Sequence, residues 1–180
     1  MSQLGLEAAR QKMLDAGVAT PAVDVFSHYY RLVESGETGL IREEDIEPLT
    51  DPPMLDDVEV SDNEAREAIG ATVIIKLNGG LGTSMGLDKA KNLLEVRDGL
   101  NFLDLIVQQV QAARRDWDAP LPLLFMNSFR TEADTLAHLS RYPDLPVDGL
   151  PLSFLQNQEP KLRADDLTPV EWPADPGLEW

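Results

Sequence analysis

The feature that most constrains this chain is a junction. Ala71-Thr72-Val73-Ile74-Ile75-Lys76-Leu77, a short β-branched run, opens directly onto Asn78-Gly79-Gly80-Leu81-Gly82-Thr83-Ser84-Met85-Gly86. The run has the composition of a strand buried on both faces in a parallel sheet. Four glycines within residues 79–86 cost folding entropy, which predicts backbone shapes that a Cβ would forbid. At the C-terminal end of a parallel strand such a loop can turn its N–H groups toward phosphates. Ligands of open α/β sheets bind at those ends. Local charge agrees: residues 71–97 carry Lys76, Lys89, Lys91 and Arg97 against Asp88 and Glu95, an excess of +2 in a chain of net charge −17. An electropositive island in an acidic protein suits an anionic ligand.

The elements around the junction fit a layered α/β domain. Asn101 to Arg115 reads as an amphipathic helix with Phe102, Leu105, Ile106, Gln109 and Val110 on one side. Leu123-Leu124-Phe125-Met126 is a second buried-strand candidate, Thr131 can cap a helix to about Leu139, and Leu152-Ser153-Phe154-Leu155 suggests a third strand. Strand and helix in this alternation predict a parallel sheet with flanking helices. Upstream lies a loosely helical stretch from Gln3 to Ala16. A better helix follows, capped by Thr20 with Pro21 in its first turn and Val25, Phe26, Tyr29, Tyr30 and Val33 on one face. From Glu34 to Glu67 there are thirteen acidic residues against Arg42 and Arg66, a solvated, partly extended linker. Ser61 and Glu64 form a capping box for a short helix stopping at Gly70. The division expected is an N-terminal helical segment with acidic linker over 1–70 and the first part of a catalytic domain over 71–180.

Composition removes several function classes. With 32 acidic and 15 basic side chains, the chain lacks the basic face a nucleic-acid binder or an anionic-membrane binder needs. No stretch approaches the roughly 20 apolar residues of a membrane helix. There is no cysteine, hence no disulfide and no thiol chemistry, and a cytoplasmic setting is expected. His28 and His138 are too far apart in sequence to suggest a metal site and read as structural. The adjacent Asp165 and Asp166 read as solvated.

Neither common phosphate motif fits the glycine-rich loop. A P-loop needs Lys and Ser/Thr after its last glycine, but Gly86 is followed by Leu87 and Asp88; the dinucleotide fingerprint needs glycine where Met85 stands. Leu77-Asn78-Gly79-Gly80-Leu81-Gly82-Thr83-Ser84-Met85-Gly86, with Lys91 five residues on, instead resembles the signature of the UTP–glucose-1-phosphate uridylyltransferases, the UDP-glucose pyrophosphorylases of the longer, eukaryotic-like type. Phe102-Leu103-Asp104-Leu105 with Val107-Gln108-Gln109 is similar to that family's first helix. Met126-Asn127-Ser128-Phe129 with Thr131, Asp134 and Thr135 is similar to its next strand-to-helix turn. Phe154-Leu155-Gln156 followed by Pro160-Lys161-Leu162 is similar to its uracil-reading segment.

The resemblance implies a Rossmann-like nucleotide-diphospho-sugar transferase fold. It also implies uridylyl transfer from MgUTP to glucose 1-phosphate, giving UDP-glucose and pyrophosphate. On that basis Leu77, Asn78, Gly79, Gly80, Leu81, Gly82 and Thr83 line the UTP site. Lys91 neutralises phosphate charge as the catalytic residue, and Gln156 offers donor and acceptor to uracil. Ala90 stands where proline commonly precedes the key lysine, and Lys89 competes with Lys91 for the role. Mg2+ is the expected cofactor, its ligands outside these residues. UTP and glucose 1-phosphate are the expected partners, with no nucleic acid and no membrane. The family's metal-holding aspartate and most sugar contacts lie beyond the segments matched, so the chain is expected to be the N-terminal part of the enzyme, with a truncated sheet and no complete catalytic cycle. Two alternatives stand beside this reading: a non-catalytic nucleotide-binding fragment, and a uridylyltransferase for another sugar 1-phosphate such as N-acetylhexosamine 1-phosphate.

Overall fold

The computed structural model describes residues 2–81 and 89–180; Gly82, Thr83 and the rest of 82–88 lie outside the described residues. The chain forms two compact units, one of residues 1–52 with 157–180 and one of residues 53–156. This differs from the expected division at 70/71. Ile69 of the short helix packs into the core of the second unit, and Leu162, Leu167 and Trp180 pack onto the N-terminal helices.

In the first unit, α1 (Ser2–Asp15) and α2 (Thr20–Glu34) bury Leu6, Ala9, Met13, Val23, Phe26 and Tyr30 against each other. The buried stripe of α2 is Val23, Phe26, Ser27 and Tyr30, a spacing of three, four and seven residues that keeps to one helical face. Val25, Tyr29 and Val33, expected inside, are more than half exposed; the expected set straddled two faces and only Phe26 and Tyr30 belong to the buried one. Ala19, not Thr20, occupies the cap position, without a side-chain cap; Pro21 in the first turn needs no N–H partner. The segment 157–180 is pinned by hydrogen bonds. The Tyr30 hydroxyl donates to Leu167 O (3.0 Å), and Lys12 Nζ donates to Val170 O (2.9 Å) while pairing with Glu179. Residues 33–60 are exposed throughout, with single 3-10 turns at Glu43–Asp45 and Leu55–Asp57.

The second unit holds α3 (Asp62–Gly70), opened by the expected Ser61–Glu64 capping box, then β1 (Ile74–Asn78), a hairpin of β2 (Glu95–Arg97) and β3 (Leu100–Asn101), α4 (Phe102–Trp117), β4 (Leu123–Asn127), α5 (Glu132–Leu139) and β5 (Ser153–Leu155). β1, β4 and β5 form a parallel sheet in the order β1-β4-β5, as the alternating pattern predicts. Its core joins Leu103, Val107 and Val110 of α4 and Leu139 of α5 to Leu123 and Phe125 of β4. Both helices therefore cover one sheet face. On β1, Ile75 is 54% and Leu77 64% exposed, so the strand is not buried on both sides. α4 likewise departs from expectation. It begins on an Asn101–Asp104 capping box and buries Leu103, Asp104, Val107 and Val110, whereas Phe102 is 47% exposed. Apolar periodicity alone excludes a carboxylate from the buried face, and here one occupies it.

Candidate nucleotide site

The register of the sheet assembles the site. Asn78 pairs with Asn127, and Asn127 with Leu155, so three parallel strands end level with one another. The next residues, Gly79 and Gln156, leave the sheet together. Gln156 N–H donates to Asn127 O (2.8 Å), which fixes its backbone, and its side chain reaches past the end of β4 to lie on Gly79. A Cβ at 79 would collide with Gln156 Oε1. Neither Gly79 nor Gly80 has a left-handed φ. At 79 the missing side chain serves close approach, not the unusual backbone shape expected from the glycine count.

Leu81 pairs with Ala90 in an antiparallel bridge, and Lys91 N–H donates to Gly80 O (3.2 Å). The glycine-rich segment is thereby closed at its base, and the Lys91 stem lies beside Gly80. Ala90, at the position where the family resemblance leads one to expect proline, is buried with φ −54°, an angle proline adopts. Of the other two lysines between residues 71 and 97, Lys76 Nζ donates to Leu77 O (2.7 Å) and Lys89 is exposed. The structure thus brings Asn78, Gly79, Gly80, Leu81, Lys91 and Gln156 together; Leu77 is the last outward-facing residue before them.

Asn78 is also the centre of a buried polar layer whose other members carried no expected functional role. Asn78 is buried, and its Nδ2 donates to Asn127 Oδ1 (2.6 Å) and Thr135 Oγ1 (2.8 Å). Its Oδ1 accepts from Asn92 Nδ2 (2.5 Å). Asn127 Nδ2 donates to Ser153 Oγ (2.8 Å), whose hydroxyl donates to Glu132 Oε1 (2.7 Å). Thr131, expected to cap α5, holds the N-cap position without bonding into the helix; its Oγ1 accepts from Ser128 N–H (2.9 Å). Short polar residues at strand ends are the only signal of this layer in the sequence, and turns share that signal.

In the first turn of α4 a carboxylate, Asp104, is buried. Asp104 Oδ1 accepts from His138 Nε2 (2.6 Å) and the Tyr142 hydroxyl (2.7 Å), and its Oδ2 from Asn101 N–H (3.0 Å). Burial pushes its carboxyl pKa up, but these donors together outweigh burial and hold it below the ordinary value. Burial, with the bond to Asp104, pushes Tyr142 up to about 12. His138 is thus engaged by Asp104. Among the described residues no three His, Asp or Glu side chains come together to hold a metal, and no helix is long and apolar enough to cross a membrane.

Comparison with known proteins decides the family. A family model described as UTP–glucose-1-phosphate uridylyltransferase matches residues 23–180. The chain belongs to the UTP–glucose-1-phosphate uridylyltransferase family. The potato (Solanum tuberosum) enzyme of that name is 40% identical over 116 residues, 64% of this chain and 24% of its own. That of Saccharomyces cerevisiae is 42% identical over 106 residues, 59% and 21% respectively. A UDP-glucose pyrophosphorylase mutant from Leishmania major, solved in complex with UDP-glucose, superposes with TM-score 0.88 at 40% identity, covering 98% of this chain and 37% of that one. A Trypanosoma brucei UDP-glucose phosphorylase gives 0.86 at 37% identity, covering 98% and 38%. The chain spans about a quarter of the length of the curated relatives it matches.

Proposed function

We propose that this chain supplies the UTP-binding half of a uridylyltransferase acting on glucose 1-phosphate. The observation that carries the reading is the Gln156 carboxamide seated on bare Gly79 backbone, at the level ends of three parallel strands and beside a loop closed by Lys91. Uracil presents an N–H flanked by carbonyls, and a carboxamide can accept from the first while donating to one of the second. Asn78 to Thr83 with Leu77 line the nucleotide. Lys91 carries charge to the phosphates as an oxygen of glucose 1-phosphate bonds to the α-phosphorus and the bond to the leaving pyrophosphate breaks. Alignment and charge neutralisation dominate such a transfer.

The expected metal is Mg2+, arriving with the triphosphate. The described groups around the loop are amides, hydroxyls and an ammonium, a poor donor set for a hard cation, so its protein ligands would lie outside these residues. The acidic, cysteine-free composition agrees with a cytoplasmic setting.

Calorimetric titration of the chain with Mg-UTP, against Mg-ATP, tests the reading. Saturable binding with preference for UTP is expected. Equal affinity for both, or none by a folded chain, would remove base recognition from Gln156.

A further inference from the structure

The polar layer beneath the loop has a direction. Glu132, a carboxylate acceptor, ends it, so the Ser153 hydroxyl must donate there and accept from Asn127 Nδ2. Asn127 consequently presents Oδ1 toward Asn78. The Thr135 hydroxyl spends its proton on Thr131 O (2.6 Å) and can only accept from Asn78. Two acceptors thus face the Asn78 amide nitrogen, which leaves its oxygen toward Asn92. Position 92 must donate. Asn92 directly follows Lys91, whose own N–H is bonded to Gly80 O.

We propose that Asn92 is a positioning residue for Lys91: its amide, fixed in sense by a one-way chain of donors running to Glu132, clasps the Lys91 segment to the end of β1. The inference rests on the reading of Lys91 as the cation that meets the phosphates. It differs from a packing role in one respect, since shape alone does not satisfy it. Asn92→Asp keeps the size of the side chain but brings an acceptor against the Asn78 oxygen.

Amide hydrogen exchange on the full chain reads the clasp without nucleotide. Lys91 N–H is expected to exchange at least tenfold faster in Asn92→Asp and Asn92→Ala, with Asn92→Ser, which keeps a donor, closer to wild type. The α4 amides serve as the internal control for folding. Wild-type protection of Lys91 in Asn92→Asp would overturn the proposal. Calorimetry with Mg-UTP then reads the consequence. Asn92→Ala should weaken binding, and should add nothing once Lys91→Ala is present. Additive losses would overturn action through Lys91. Wild-type affinity in Lys91→Ala alone would overturn the underlying reading of the lysine instead, and the exchange result would then decide the clasp by itself.

Discussion

Gly79 and Gly80 are adjacent and look interchangeable, yet only at the first would a methyl group displace a neighbour, the mobile end of the Gln156 side chain. A methyl group at 79 meets the Gln156 carboxamide, whereas at 80 it meets the Lys91 stem at an ordinary 3.9 Å. Gly79→Ala and Gln156→Ala should therefore each lower preference for UTP over ATP by about tenfold, equivalent to the ~1.4 kcal/mol of one modest hydrogen bond. Gly80→Ala should leave the melting temperature within a few degrees of wild type. Parallel titrations and melts of the three variants check both statements. At this scale the sequence offers candidates without the reason for them. Gly79, Lys91 and Gln156 could be picked out, but the contact between the first and last depends on strand order, which no local pattern carries. Asn92 has no such signal, and Asn127 and Thr135 enter only through the family resemblance, because a polar side chain at a strand end reads the same whether it faces solvent or a buried partner.

At the scale of elements, α4 shows how a buried charge can belong to a cap. Asp104 closes the box with Asn101 and also gathers His138 and Tyr142. Asp104→Ala would strand three donors and should cost roughly 3 kcal/mol, measured by urea unfolding. The carboxyl pKa is lowered in the folded state, so its contribution is fully present above the unfolded carboxylate pKa and disappears as pH falls through the lower folded value. Stability of the wild type should thus drop below about pH 4, with Asp104→Asn flattening that part of the profile. Leu103→Ala, at the centre of the same core, should cost about 3 kcal/mol through the cavity it leaves. The existence of α4 and its first-turn aspartate were readable from sequence, but not which face it buries. A carboxylate scores as surface until its three donors are known. The β2–β3 hairpin also passed unread. Its Asp98-Gly99 turn, with φ 54° and 74°, is a recognised hairpin signal, but strands of two and three residues are too short to show alternation.

For the molecule as a whole, charge and connectivity dominate. A net charge of −17 opposes the compact state by self-repulsion. Raising salt from 10 mM to about 150 mM shortens the screening length from ~30 to ~8 Å, and the melting temperature should rise accordingly; no change would mean that local pairing already offsets the repulsion. The parallel sheet was legible because its strands and helices alternate at regular spacing. The return of residues 157–180 to α1 and α2 was not, because Leu162, Leu167 and Trp180 sit in a proline-rich, acidic stretch without periodicity. Deleting 157–180 should remove amide protection from α1 and α2, where Met13 and Tyr30 are otherwise buried.

That return also sets a timetable. Helices α1 and α2 are translated before the whole of 53–156, and the residues of 157–180 that complete their core only after it. At ribosomal speeds the wait is on the order of ten seconds, during which the helical core lacks Leu162, Leu167 and Trp180 while the intervening sheet can already form. Until 157–180 emerge, α1 and α2 lack part of their core, and a nascent-chain holdase would find its task there.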